Sequence, residues 1–233
     1  MNPATHLSKT ERFKSAPWFE GSEKEVISLL GAGGIGSNAL YSLAKTIPAT
    51  FRVCDFDRIE THNIGTQFFR TSDIGKYKVE GLKQTMVDFG CGDKIKIFAD
   101  NIEQPEMHEI IFRPITITGF DNMKARKLAF EKWKELPNRE LFIDGRLRAN
   151  LYEVYSVFPG EREEMYEATL FDDKDVDDGP CTFKQTAYFA MLIGARITNV
   201  LVNYLSNKYS EDPIYVVPFK IKELGELCHV EIV

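Results

Sequence analysis

The sequence predicts an α/β fold: a mainly parallel, doubly wound sheet with helices on both faces and a C-terminal antiparallel extension. Three observations carry that prediction. Short apolar runs alternate with helical patterns from Val26 to Leu136, the spacing of strand–helix–strand units whose strands lie parallel. The first unit turns through Gly31-Ala32-Gly33-Gly34-Ile35-Gly36, and its second strand ends in Asp55. Beyond Leu151 three strand-like segments surround one long helical run.

In chain order, residues 1–21 read as an N-terminal arm. Its Phe13, Trp18 and Phe19 pack on a second subunit or on their own domain. Residues 25–30 form the first strand, 34–46 a helix and 51–55 the second strand, with Pro48 in the return loop, where a missing N–H costs little. Residues 56–74 are long, polar and irregular, and loops at the carboxyl ends of strands usually carry function. Gly75 to Phe89 has helical spacing and stops at Gly90-Cys91-Gly92. Lys94 to Phe98 alternates as a half-buried strand, and a short helical piece closes at Ile110 and Ile111. Residues 115–118 are a buried-type strand ending in Gly119-Phe120-Asp121-Asn122. A helix follows over Met123 to Leu136, capped by Asn122 or Asp121. Leu141 to Asp144 and Leu151 to Phe158 are strands. Residues 161–180 are a charged loop whose aspartates lack the spacing of a calcium loop. Residues 181–207 are a long helix, buried or at an interface. Pro213 to Lys222 and Leu227 to Val233 close the sheet. Residues 1–233 read as a single domain.

Composition narrows the function. Of 233 residues, 43% are hydrophobic and 27% charged, a soluble globular balance. A net charge of −6 argues against a non-specific nucleic-acid binder, which needs a basic face. The N-terminus lacks the apolar core of a signal peptide. The most apolar stretch, Ala187 to Val202, is interrupted by Arg196 and Asn199. No membrane span is expected, and the expected location is cytoplasmic. Cys54, Cys91, Cys181 and Cys228 form no CxxC pair, and no HxxxH pattern appears. No structural zinc is therefore expected.

The glycines of the first turn have separable tasks. Gly31 allows the tight turn, Gly33 lets the backbone approach a phosphate, and Gly36 lets the helix pack close to the strand. The helix N-terminus then faces an anion. Asp55 stands near the spacing of a carboxylate that accepts from ribose hydroxyls. The turn alone does not choose between a dinucleotide and ATP. Asp57, Asn63, Gln67, Lys78 and the Asp121-Asn122 pair tilt the choice. Neighbouring strand ends converge on one crevice, and acids plus a lysine around a phosphate loop suit a magnesium–triphosphate.

These residues carry a resemblance. GAGGIGSN, DFDRIETHNIGTQ, DIGKYKVE and TGFDNMKARKLAFE, in that order over residues 25–145, resemble the ubiquitin-activating (ThiF/MoeB/HesA) superfamily of adenylyltransferases. The resemblance implies a Rossmann-like sheet, usually a homodimer. It implies that ATP and Mg2+ are used to adenylate the C-terminal carboxylate of a small ubiquitin-like or sulfur-carrier protein. By that resemblance Gly31, Gly33 and Gly34 shape the nucleotide loop and Asp55 binds the ribose. Asp57, Asn63, Gln67 and Lys78 line the adenine, ribose and phosphate region. Asp121 holds magnesium and is required for adenylation, with Asn122 beside it. Arg12 matches an arginine that the family brings from the partner's N-terminal region. Cys181 stands where sulfur-transfer members carry a cysteine that bonds the carrier, and 161–180 corresponds to the loop that crosses the carrier's tail.

One departure matters. The family's NxxRQ reads Asn63-Ile64-Gly65-Thr66-Gln67 here, so Thr66 replaces a phosphate-contacting arginine. Arg70 and Arg58 are the nearby substitutes. Two other classes stay open: a degenerate, non-catalytic nucleotide- or protein-binding member of the fold, and an NAD- or FAD-dependent oxidoreductase. The sequence names neither the carrier nor its pathway.

Overall fold

Five parallel strands continue into three antiparallel ones to make one sheet of order β3-β2-β1-β4-β5-β6-β7-β8. The computed structural model describes residues 13–148, 150–172 and 187–233. The elements are β1 (Val26–Leu30), α1 (Gly34–Thr46), β2 (Thr50–Cys54), α2 (Lys78–Asp88), β3 (Ile95–Phe98), α3 (Pro105–Ile111), β4 (Ile115–Thr118) and α4 (Met123–Lys134). There follow β5 (Leu141–Arg148), β6 (Leu151–Val157), α5 (Glu161–Glu167), α6 (Ala187–Tyr209), β7 (Lys220–Leu224) and β8 (His229–Ile232). The doubly wound, mainly parallel sheet with an antiparallel extension is what the sequence predicts.

Alternation along the strands explains the two layers. Ile27, Leu29, Phe51, Val53, Ile115, Ile117, Leu141 and Ile143 face one side, under α1, α2 and α6. Leu30, Cys54 and Phe142 face the other, under α3, α4 and α5. Side chains of successive strand residues point to opposite faces, so a strand covered on both sides reads as a continuous apolar run. Helix α6 is long and apolar enough by length and composition to cross a membrane. Here its Phe189, Ile193, Ile197, Leu201 and Leu205 are buried in the first layer. It crosses α1 so closely that a Cβ on Gly194 would lie 2.8 Å from the Ala39 nitrogen.

Register sets the site. Leu30 pairs with Cys54 on one side and Thr118 on the other, and Thr118 pairs with Asp144. Gly31, Asp55 and Gly119 therefore leave the sheet on one row, beside Gly145, where β5 continues along β6. The chain winds from β1 outward through β2 and β3, then returns to β4 on the opposite side of β1. That reversal opens a crevice at the carboxyl ends of β1 and β4.

Some local expectations change. Within the expected charged loop 161–180, Glu161–Glu167 is helical. Three acids in its first turn, Glu161, Glu163 and Glu164, sit at the positive end of the helix, and Tyr166 is buried beneath it. Pro213 to Lys222 is not one strand, and β7 begins only at Lys220. Pro213 and Pro218 have no N–H for a ladder. Asn203 and Asn207 bond the backbone of Val216 and Tyr215 there instead. Strand β5 runs four residues past Asp144, to Arg148, because β6 pairs with it throughout. The long helix is described from Ala187, and 181–186 lie outside the described residues. Of the N-terminal arm, Trp18 packs against the first layer of its own chain.

Candidate active site

A cleft of about 410 Å³ lies on that row of strand ends. Gly31, Gly33, Gly34, Asp55, Asp57, Gln67, Lys78, Asp121 and Asn122 all line it. Five separate stretches of the sequence thus deliver the expected side chains to one place.

Each glycine does a different thing. Gly31 has φ +90°, a left-handed conformation, and a Cβ there would meet the Gly119 carbonyl at 3.1 Å. Gly36 has no room at all: a Cβ would lie 1.8 Å from the Gly31 carbonyl oxygen. At Gly33, which lines the cleft, a Cβ would have nothing within 4 Å. Gly34 opens α1, whose first-turn amides lack intrahelical acceptors and suit an anion.

Asp55 is fixed by its neighbours. Its Oδ2 accepts from the Ala32 amide at 2.7 Å and its Oδ1 from the Asp57 amide at 2.8 Å. Burial pushes its carboxyl up, against the pull of Lys78 and those two amides. Lys78 opens α2 and is buried, with its ammonium 2.6 Å from Asp57 and its amide bonded to the Asp57 carbonyl. Asp57 itself is half exposed, so it holds Lys78 without closing it off. The Oε1 of Gln67 is buried and has no partner among the described residues. A buried unpaired carbonyl costs about 1–3 kcal/mol, and in a cleft wall it points to a ligand donor.

Asp121 is exposed on the cleft wall. Asn122, not Asp121, caps α4: its Oδ1 accepts from the Ala125 amide at 2.8 Å, while its Nδ2 donates to Asp121 at 3.2 Å. The cap leaves the Asp121 carboxylate free to face the cleft. Two expected residues stand elsewhere. Asn63 is buried outside the cleft, its Oδ1 accepting from the Glu60 amide to close a turn. Gly36 lies beneath the turn rather than on the wall. Arg12 and Cys181 are outside the described residues.

The substitutes for the missing arginine are committed elsewhere. Arg70 grips Asp73 through two nitrogens, at 2.8 and 3.1 Å, and also pairs with Asp88. Arg58 donates to the Gly75 carbonyl at 2.7 Å and stacks 4.1 Å over Tyr77. Neither lines the cleft. Among the described residues its charged lining is Asp55, Asp57, Asp100, Glu103 and Asp121 against Lys78. Such a wall is net negative, and by itself it repels a bare polyanion.

Asp100, Asn101 and Glu103 went unread in the sequence, as did Phe56 and Phe120 of the lining. The signal was available: 99–104 follow the carboxyl end of β3, and the rule that placed Asp55 and Asp121 applies there too. Cys54 also borders the cleft. Burial, with Asp55 and Asp100 adding to it, pushes its thiol up to about 12, so it stays protonated. No three His, Cys, Asp or Glu side chains form a metal cage among the described residues. Magnesium needs none, since it binds through one or two carboxylates, waters and phosphate oxygens. Asp121 fits that sparse demand.

Residues 21–222 match the ThiF family. The NEDD8-activating enzyme E1 catalytic subunit of Arabidopsis thaliana is 35% identical over 157 residues, 62% of this chain and 34% of that one. Ubiquitin-like modifier-activating enzyme 5 of Gallus gallus is 22% identical over 88% of this chain and 57% of its own. The chain spans about a third of the length of the relatives it matches first. Among solved structures, PaaA has a TM-score of 0.75 at 17% identity, covering 100% of this chain and 84% of its own. E. coli MccB with ATP has 0.66 at 15%, covering 100% and 79%. At those identities the two structures speak for the fold.

Proposed function

The chain belongs to the ThiF family, and from that premise we propose that it uses ATP to adenylate the C-terminal carboxylate of a small ubiquitin-like protein, sulfur carrier or peptide. The observation that carries this reading is the convergence of open space above Gly33, the unpaired Gln67 oxygen, Lys78 and Asp121 in one cleft. The relatives point the same way: two are named as activating enzymes, and MccB has been crystallised both with ATP and with AMPCPP and MccA.

The chemistry needs placement and charge neutralisation more than proton transfer. A carboxylate oxygen attacks the α-phosphorus, the bond to the bridging oxygen breaks, and pyrophosphate leaves. The amides after Gly33 and the N-terminus of α1 hold phosphate oxygens. Asp55 keeps lone pairs for ribose hydroxyls beyond its two amide bonds. Gln67 gains the donor it lacks. Lys78 is held by Asp57 with its ammonium towards the phosphates, where fixed charge acts without reorganisation. Asp121 would hold Mg2+, which when bound supplies charge neutralisation on the triphosphate. The acidic wall calls for a further cation from outside the described residues. Arg12 of a second copy, in a homodimer, is the one we propose.

ATP–pyrophosphate exchange in the presence of a candidate carrier tests the reading. Exchange that depends on the carrier's terminal carboxylate is expected. Binding of NAD in place of ATP would overturn it. The loss of the family arginine at Thr66, with Arg58 and Arg70 occupied, favours the second reading of a non-catalytic binding module. ATP binding without exchange with any carrier would select that one.

A further inference from the structure

Directly behind the Asp121 loop lies a buried charge cluster that the reaction as described does not use. Asp144, at the end of the parallel part of β5, is wholly buried. Its Oδ1 accepts from Arg126 at 2.5 Å and from the Thr118 hydroxyl at 2.8 Å. Its Oδ2 accepts from Arg146 Nε at 2.7 Å and from the Tyr166 hydroxyl at 2.9 Å. Burial alone would push this carboxyl up, but Arg126 and Arg146 outweigh it and hold it below the usual range.

The cluster reaches in two directions. Arg126, on α4, is 5% exposed. Besides Asp144 it donates to the Gly145 carbonyl at 2.8 Å and, through its other terminal nitrogen, to the Phe120 carbonyl. Phe120 lines the cleft and precedes Asp121. On the other side, the fork of Arg146 holds the Thr169 carbonyl at 3.1 Å and hydroxyl at 2.9 Å. Thr169 is half-buried, just past α5.

We propose that Arg126 is a positioning residue for adenylation, fixing the peptide that carries Asp121, and that Asp144, Arg146 and Thr169 hold Arg126 in place. The inference rests on the adenylation reading, in which Asp121 meets magnesium. Its physical basis is that one planar guanidinium bridges three acceptors on two chain segments, which an ammonium cannot do with the same geometry. Without the bond to its carbonyl, Phe120 is free to rotate its peptide, and the exposed Asp121, which among the described residues accepts only from Asn122 at 3.2 Å, moves with it.

The test measures ATP binding by calorimetry with and without Mg2+, so no carrier is needed. Wild type should bind ATP more tightly with magnesium, and Asp121→Ala should lose that gain. Arg126→Lys should bind magnesium-free ATP as wild type does but lose about tenfold of the magnesium effect. In an Asp121→Ala background it should cost almost nothing further, because it acts through that carboxylate. A merely structural role would instead lower the melting temperature and weaken both forms of binding additively. Arg126→Lys with the full magnesium gain, or additive losses, would overturn the proposal. Wild type without any magnesium-dependent ATP binding would overturn the adenylation reading itself. If Arg126→Lys does not fold, Thr169→Val at the half-buried end of the same chain takes its place. A loss of about threefold that vanishes beside Asp121→Ala is expected, and an unchanged magnesium effect overturns the proposal.

Discussion

Gly33 and Gly36 stand three residues apart, and adding one methyl to each should separate binding from folding. At Gly36 the new Cβ would lie 1.8 Å from the Gly31 carbonyl oxygen, about 1.6 Å short of ordinary contact. The obstacle is backbone at the end of β1, not the tip of a flexible side chain, so α1 must shift as a body. Overpacking of this kind costs at least about 3 kcal/mol. For a chain of this size that lowers the melting temperature by about 6–12 °C. At Gly33 the same Cβ meets nothing within 4 Å, but the backbone has φ −76° and ψ −146°, which alanine adopts less readily than glycine. Gly33 is also the N-cap of α1, so alanine should cost about 1–2 kcal/mol and lower the melting temperature by about 2–8 °C. The methyl would instead occupy the space where a phosphate must pass. A tenfold or greater loss of ATP affinity is expected, about 1.4 kcal/mol. Thermal denaturation and ATP calorimetry on the two variants read both effects. Gly33→Ala binding ATP like wild type would remove the phosphate from this turn. Gly36→Ala melting like wild type would refute the close-packing argument.

Asp121→Ala should abolish carrier-dependent ATP–pyrophosphate exchange and leave melting within about 0.5 kcal/mol of wild type, because the side chain is exposed; full exchange would take Asp121 out of the site. Arg70→Ala should destabilise by roughly 1–3 kcal/mol, since buried Asp73 loses two bonds and keeps Lys76. It should leave ATP affinity unchanged, and weaker nucleotide binding by a folded variant would return Arg70 to the phosphate site. Acid should unfold the protein through specific carboxylates. Asp73 is held down by Arg70 first, while in Asp144 and Glu163 the arginine partners outweigh burial. Depressed folded values contribute stability that is complete above the unfolded values, about 4, and is lost as pH falls through the folded ones. The melting temperature should therefore drop below about pH 4, and a flat profile from pH 7 to 3 would contradict those ion pairs.

What the sequence made legible follows the local period of the chain. The glycine turn, β1, β2 and α1 were readable because apolar alternation and turn chemistry act over a few residues, and register then carries Asp55 and Asp121 to one row. Glu161–Glu167 escaped because a two-turn helix anchored by one buried tyrosine has too little amphipathic signal beside its acids. The fate of the arginines was illegible for a different reason. Arg70 and Arg58 were candidates by nearness in sequence to Thr66, yet a guanidinium goes to the acceptor that tertiary packing offers. For Arg70 that is Asp73, which lies three residues on and is fully buried. Arg126 shows the same rule in reverse. Nothing around it in sequence marks it, and it matters because α4 and β5 bring Asp144, the Gly145 carbonyl and the Phe120 carbonyl within reach of it. Motifs locate groups that meet a ligand, because those groups sit at fixed spacings on a loop. Groups that hold the loop in place meet only in three dimensions, so they are found by asking which buried charge each guanidinium neutralises.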